Sequence, residues 1–263
     1  MATEAGARLG LKYLDTNGFG AAQGGRGYYL PVDIAVRSDG RIYVLSRGDA
    51  IQGGNGVKVT DIEHTWYEVF SGRGTDPGQF ISATAIAFDA NDRLFMADEI
   101  LNRITIFDPD HNYVAQWGAE GSGPGEFDGP SGIAFDTDGN LLVVDDKNQR
   151  AQRYTPEGEY LSSFGSGGSG DGEFNYPWGI TVAPDGVIYV ADWRNDRIQR
   201  FTHQGEFIDS QGGSGDGEGQ FNRPSNVAVD NDGNIFVADW GNQCVQAFDN
   251  DWNFQTSIRG AGE

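Results

Sequence analysis

The 263-residue chain carries 40 glycines, 9 prolines, a single cysteine and a net charge of −21. Its length suits one large all-β domain with its own core, and glycine recurring at fixed places among apolar runs excludes a disordered chain. The negative field opposes binding to nucleic acid, which needs Lys and Arg to displace counterions from phosphates. One cysteine excludes an intrachain disulfide, and no run of about 18 apolar residues offers a membrane span.

The first residues, Met1 to Ala5, lack the apolar core of a signal peptide, so a cytoplasmic setting is the default expectation. Lys12-Tyr13-Leu14-Asp15 then reads as an outer strand, by its likeness to Glu159-Tyr160-Leu161-Ser162. The first full copy of a repeat opens at Pro31-Val32-Asp33-Ile34-Ala35-Val36. Further copies open at Ala83, Pro130, Pro177 and Pro224, each 47 residues after the last; the first interval is 52, with the extra residues near Gly53-Gly54-Asn55-Gly56.

Each copy reads as four short strands. An innermost run such as Ile133-Ala134-Phe135 meets a turn, Asp138-Gly139 in that copy, where glycine takes the positive φ that a tight hairpin needs. A second run follows (Ile42-Tyr43-Val44, Leu94-Phe95-Met96, Leu141-Leu142-Val143, Ile188-Tyr189-Val190, Ile235-Phe236-Val237). The third strand alternates, and the outer one ends in an aromatic and a glycine, as in Trp117-Gly118. A Gly-rich connection leads through Phe80, Phe127, Phe174 or Phe221 to the next copy. A lone four-stranded sheet leaves two apolar faces bare, and stacking sheets radially buries both. The expected fold is therefore an all-β β-propeller over 1–263. It has five recognisable blades starting near 31, 83, 130, 177 and 224, preceded by a lead-in and strand over 1–30.

The segment Gly172-Glu173-Phe174-x-x-Pro177, Gly179-Ile180, Tyr189-Val190-Ala191-Asp192-x-x-Asn195-x-Arg197-Ile198-Gln199 resembles the NHL repeat. The resemblance recurs over roughly residues 30 to 260, and it extends to uncharacterised prokaryotic six-bladed NHL proteins. It implies six blades, whereas a sixth innermost strand would fall beyond Glu263. The plan is read as six-bladed and short by about three strands, with a closed five-bladed ring as the alternative. If the ring is open, its unpaired edges predict a homo-oligomer.

Ligands of propellers commonly bind where the innermost strands begin. Asp33, Gly132, Gly179 and Asn226 stand there, with Trp178 beside them. The loops after the second strands add Arg47, Glu99, Asp146, Lys147, Trp193, Arg194 and Trp240. The tryptophans form a stacking surface for a ligand, or they seal neighbouring blades. Asp98, Asp145, Asp192 and Asp239, with Arg103, Arg150 and Arg197 five residues later, recur too regularly for catalysis. They read as exposed structural pairs worth about 0–1 kcal/mol each. Cys244 replaces the arginine in the last copy and is taken as structural.

A distant resemblance to the peptidyl-α-hydroxyglycine lyase propeller implies zinc held by histidines at the innermost strand starts. Here those places hold other residues, and His64, His111 and His203 fall in turns between third and outer strands, so no zinc is expected. Asp136-Thr137-Asp138-Gly139-Asn140 and its copy from Asp230 lack calcium-loop spacing and read as tight turns. The resulting expectation is a binding scaffold without a cofactor. It docks a protein or small-molecule ligand, neither nucleic acid nor membrane, through Asp33, Arg47, Glu99, Trp178, Trp193, Arg194, Asn226 and Trp240. The alternative is a Ca- or Mg-dependent hydrolase or lyase, with Asp33, Glu99 and Asn226 as oxygen ligands at the centre.

Overall fold

The computed structural model describes residues 30–47, 56–63 and 65–259. These form five four-stranded antiparallel sheets, each with its strands hydrogen-bonded in chain order. Blade 1 comprises Pro31–Val36, Ile42–Ser46, Gly56–Thr60 and Trp66–Phe70. Blade 2 comprises Ala83–Phe88, Leu94–Asp98, Arg103–Phe107 and Tyr113–Trp117. Blade 3 comprises Pro130–Phe135, Leu141–Asp145, Arg150–Tyr154 and Tyr160–Phe164. Blade 4 comprises Pro177–Val182, Ile188–Asp192, Arg197–Phe201 and Phe207–Gly212. Blade 5 comprises Pro224–Val229, Ile235–Asp239, Cys244–Phe248 and Phe254–Arg259. Among the described residues the one helical element is a 3-10 turn, Trp193–Asn195. The strand expected at Lys12–Asp15, the Gly53-Gly54-Asn55 loop and His64 lie outside the described residues.

The chain divides into two compact units. Of the described residues, those up to 167 hold blades 1 to 3, and 168–259 hold blades 4 and 5. In the first unit the seam of blades 1 and 2 buries Tyr43, Leu45, Val57 and Val59 against Phe80, Ile86, Met96 and Phe107. The next seam buries Phe95, Ala97, Ile104 and Ile106 against Phe127, Ile133, Val143 and Tyr154. In the second unit Tyr189, Ala191 and Ile198 close on Phe221, Val227, Val237 and Phe248. Each large aliphatic or phenyl side chain among them stabilises the unit by about 1.5–3 kcal/mol when taken from water. The seams, more than the hydrogen bonds within a sheet, therefore hold blades together. Phe80, Phe127 and Phe221 end Gly-rich connections because their rings plug these seams.

The Asp-Gly turns follow from local chemistry. Gly139 has φ +81° and donates its amide to the Asp136 carbonyl at 3.0 Å. The Asp136 Oδ1 accepts from the Asp138 and Asn140 amides at 3.0 and 2.9 Å, as in an Asx turn, while Oδ2 pairs with Arg153 Nε at 2.9 Å.

Candidate functional site

The second strand of blades 2 to 5 ends in an aspartate that is 0–1 % exposed, Asp98, Asp145, Asp192 or Asp239. In blade 4 the Asp192 carboxylate accepts from the Asn175 amide at 2.7 Å and the Asn195 side chain at 2.8 Å. It also accepts from Arg197 Nε at 2.9 Å and Gln199 Nε2 at 3.2 Å. Arg197 continues to the carbonyls of Gly170 and Glu173 at 2.7 and 2.8 Å. Blade 3 repeats the arrangement with Asp145, Asn148, Arg150 and Gln152. The network ties the end of the Gly-rich connection to the end of the second strand, and so fixes the loop that follows.

Two expectations are corrected here. These pairs are buried, not exposed: the arginines are 16 and 13 % exposed and the aspartates 0 %. Asp98 and Arg103, moreover, form no ion pair among the described residues. Leu101 and Thr105 stand where the other blades have the asparagine and glutamine donors, so the Asp98 carboxylate turns to the amides of Ile81, Ser82, Ile100 and Leu101 at 2.7 to 3.2 Å. Arg103 reaches the Gln79 carbonyl at 2.9 Å instead. In blade 5, where Cys244 replaces arginine, Asn242 and Gln246 still hold Asp239 at 2.7 and 3.1 Å. The thiol is half-buried, and burial raises its pKa.

The residue after that aspartate, or after Ser46 in blade 1, differs from blade to blade. In the first unit it is Arg47, Glu99 or Asp146. Arg47 pairs with Glu99 at 3.2 Å and donates through Nε to the Ala83 carbonyl at 2.5 Å. Glu99 also accepts from Ser82 Oγ at 2.7 Å. Asp33 accepts the Ile86 amide at 2.8 Å, and burial raises its pKa to about 6 against that bond. Asp146 is buried, with Oδ1 lacking a hydrogen-bond partner, and burial raises its pKa to about 7. Asp33 and Glu99 are committed to these partners, and among the described residues no three His, Cys, Asp or Glu side chains are placed to hold a metal. His111 is likewise committed: its ring nitrogens meet Tyr43 Oη at 2.8 Å and Glu68 at 3.0 Å, and it stacks on Phe70.

In the second unit the equivalent residues are Trp193 and Trp240, whose ring centroids lie 6.4 Å apart. Trp240 is 60 % exposed. The Arg223 guanidinium stands 5.0 Å from the Trp193 ring centroid. That of Arg194 stands 4.2 Å from the Tyr176 centroid and 5.5 Å from that of Trp193. Two tryptophans, a tyrosine and two arginines thus make one cluster, in which Trp240, Arg194 and Arg223 are exposed and Trp193 and Tyr176 half-buried, with each guanidinium over an aromatic face. Neither arginine meets a carboxylate among the described residues. Of the other residues expected here, Trp178 is half-buried on the first strand of blade 4. Asn226 is exposed on that of blade 5, and its Oδ1 accepts the Val227 amide at 2.9 Å. Gly179 is required beside it, since a Cβ there would lie 2.4 Å from Asn226 Oδ1.

Tyr176 and Arg223 were not among the residues singled out in the sequence. Both immediately precede a blade's first proline and have φ of 52° and 56°, the place Gly129 fills in blade 3 with φ +78°. A non-glycine residue there costs of order 1 kcal/mol of backbone strain, and such outliers cluster at functional sites. The signal available in the sequence was a bulky residue where the neighbouring repeat has glycine. The Arg223 amide is held by Asp196 Oδ1 at 2.7 Å, so the strained position is fixed.

Comparison with known proteins agrees with this repeat. The NHL repeat model matches residues 174–201 and 221–248, and a family described as a 6-bladed beta-propeller matches 81–164. The chain is a β-propeller that carries NHL repeats. No curated protein matches its sequence. Among solved structures, a protein of unknown function from Bacteroides thetaiotaomicron aligns with this NHL propeller at TM-score 0.68 and 20 % identity, over 84 % of this chain and 60 % of that one. A nidogen/laminin complex aligns at 0.64 and 16 % identity, over 88 % and 81 %. A catalytically inactive virginiamycin B lyase from Staphylococcus aureus, solved with quinupristin, aligns at 0.61 and 13 % identity, over 89 % and 71 %. Likeness at such identity establishes the shared fold and leaves the activity of this NHL propeller to its own side chains.

Proposed function

We propose that this NHL propeller is an interaction scaffold that docks a protein partner on the aromatic and cationic cluster of its second unit. The observation that carries the reading is the set Trp193, Trp240, Tyr176, Arg194 and Arg223, held on loops braced by Asp192 and Asp239. Trp, Tyr and Arg are the residue types that dominate binding energy at protein interfaces, where they act as rigid anchors within a desolvated patch. The brace beneath them lowers the ordering cost of binding. The two guanidinium groups lack carboxylate partners, so the matching surface presents acidic side chains between apolar ones. The similarity to a nidogen/laminin complex is consistent with propellers meeting other proteins in this fold.

The test is selection of peptides from a random display library on the wild-type protein and on the Trp193→Ala, Trp240→Ala double variant. Peptides enriched on the wild type carry Asp or Glu beside an aromatic or aliphatic residue. They lose most of their affinity on the double variant, each indole contributing about 2–4 kcal/mol. Unaltered circular-dichroism melting of the double variant separates lost docking from lost fold. Equal retention of the same peptides by both proteins removes the proposal.

A further inference from the structure

The first strand of blade 1 carries a row of bare apolar side chains. Ile34 is 60 % and Val36 62 % exposed, flanked by Val32 and Leu30. The residues at the place of Ile34 in other blades are covered: Ile86 is 4 %, Ile133 6 % and Val227 3 % exposed. What covers them is the same each time. An aromatic and a smaller apolar residue two places on, from the second strand of the preceding blade, lie in the same buried cluster. The pairs are Tyr43 and Leu45 with Ile86, Phe95 and Ala97 with Ile133, and Tyr189 and Ala191 with Val227. Ile34 has the register and chemistry of a covered residue, without the cover. The exposure is concentrated on this strand, since Val44 on the next is 7 % exposed.

Blade 5 carries the counterpart. Phe236-Val237-Ala238 has the same aromatic and small pair, yet both side chains are only half-buried, whereas Tyr43, Phe95 and Tyr189 are 0 to 5 % exposed. Ala228, which pairs with Phe236 across the sheet, is exposed. The chain therefore presents both halves of its own blade-to-blade contact on its surface.

We propose that blade 5 of one copy docks through Ala228, Phe236 and Ala238 on the Val32, Ile34 and Val36 face of blade 1 of a second copy. The occupant is a second copy of this chain because its blade 5 already bears the residue pair that fits such a face. The contact joins two different surfaces, so it is heterologous and can recur from copy to copy. Copies of net charge −21 repel, so added salt strengthens the association by screening.

The test uses two single-cysteine variants made in a Cys244→Ser background, Ile34→Cys and Ala238→Cys. They are mixed in equal amounts and treated with a bismaleimide. The expected product joins one chain of each kind, grows with protein concentration and salt, and is absent from either variant alone. In sedimentation, Ile34→Asp weakens self-association by about tenfold or more, with its thermal melt unchanged because the residue is already exposed. A single monomeric species at every concentration overturns the proposal, and so does a cross-link that forms only within one chain carrying both cysteines.

Discussion

At one and the same place in the repeat, the first unit carries charge and the second carries indole. Arg47, Glu99 and Asp146 are tied into ion pairs, hydrogen bonds or burial, whereas Trp193 and Trp240 lie side by side with the cations Arg194 and Arg223 around them. The residue immediately before is far more uniform, a buried aspartate in four blades of five. The contrast shows how this scaffold separates its tasks. One position holds the loop, and the next decides what the loop offers to the outside.

The strongest way to break the comparison is to remove the shared part. Asp192→Ala leaves Arg197 buried without its carboxylate and strands the Asn195 and Gln199 donors, so a loss of about 3–5 kcal/mol is expected in urea unfolding. Trp193→Ala, one residue on, should change stability far less while removing docking. If both substitutions destabilised equally, the separation of tasks would be wrong.

The buried carboxyl of the first unit gives a pH-dependent test. Asp146 has a folded pKa of about 7, raised by burial above its ordinary value. The folded state therefore holds its proton more tightly, and stability falls as pH rises through that range. Asp146→Asn removes the ionisation and is expected to stabilise the protein by about 1–3 kcal/mol at pH 8.5, with the gain vanishing below about pH 4. A gain that stays constant across that range would assign it to packing instead.

A smaller effect sharpens the comparison within the second unit. Cys244→Arg restores in blade 5 the arginine of blades 3 and 4, beside Asp239 and the carbonyls that the repeat supplies. A gain of about 1 kcal/mol in chemical denaturation is expected. Smallest is Glu99→Gln. The pair with Arg47 is about a quarter exposed on each side, and its loss should cost less than about 1 kcal/mol.

The repeat made the fold legible. The first strands begin at Pro31, Ala83, Pro130, Pro177 and Pro224, and the Asp-Gly turns and Phe plugs fall where the pattern puts them. Spacing also placed Trp193, Arg194 and Trp240 on loops of one kind. It does not report which side chains meet. Asp98 and Arg103 keep their spacing yet form no pair, because the outcome depends on whether Asn and Gln donors occupy neighbouring positions. Tyr176 and Arg223 were hidden for a related reason: they stand at the end of a Gly-rich connection, where a backbone requirement, not a hydropathy pattern, marks the place.

The two-ended anchoring of the loop after Asp192 has a practical side. The Arg194 amide bonds to the Asn175 carbonyl at 3.0 Å, and the Asn195 side chain to that of Gly168 at 2.9 Å. The side chains at 193, 194 and 240 contribute nothing to those anchors. They can therefore be randomised together, turning the protein into a frame for displaying engineered recognition sequences. Gly241 has to stay out of any such library, since a Cβ there would come within 2.5 Å of the Asn222 carbonyl oxygen.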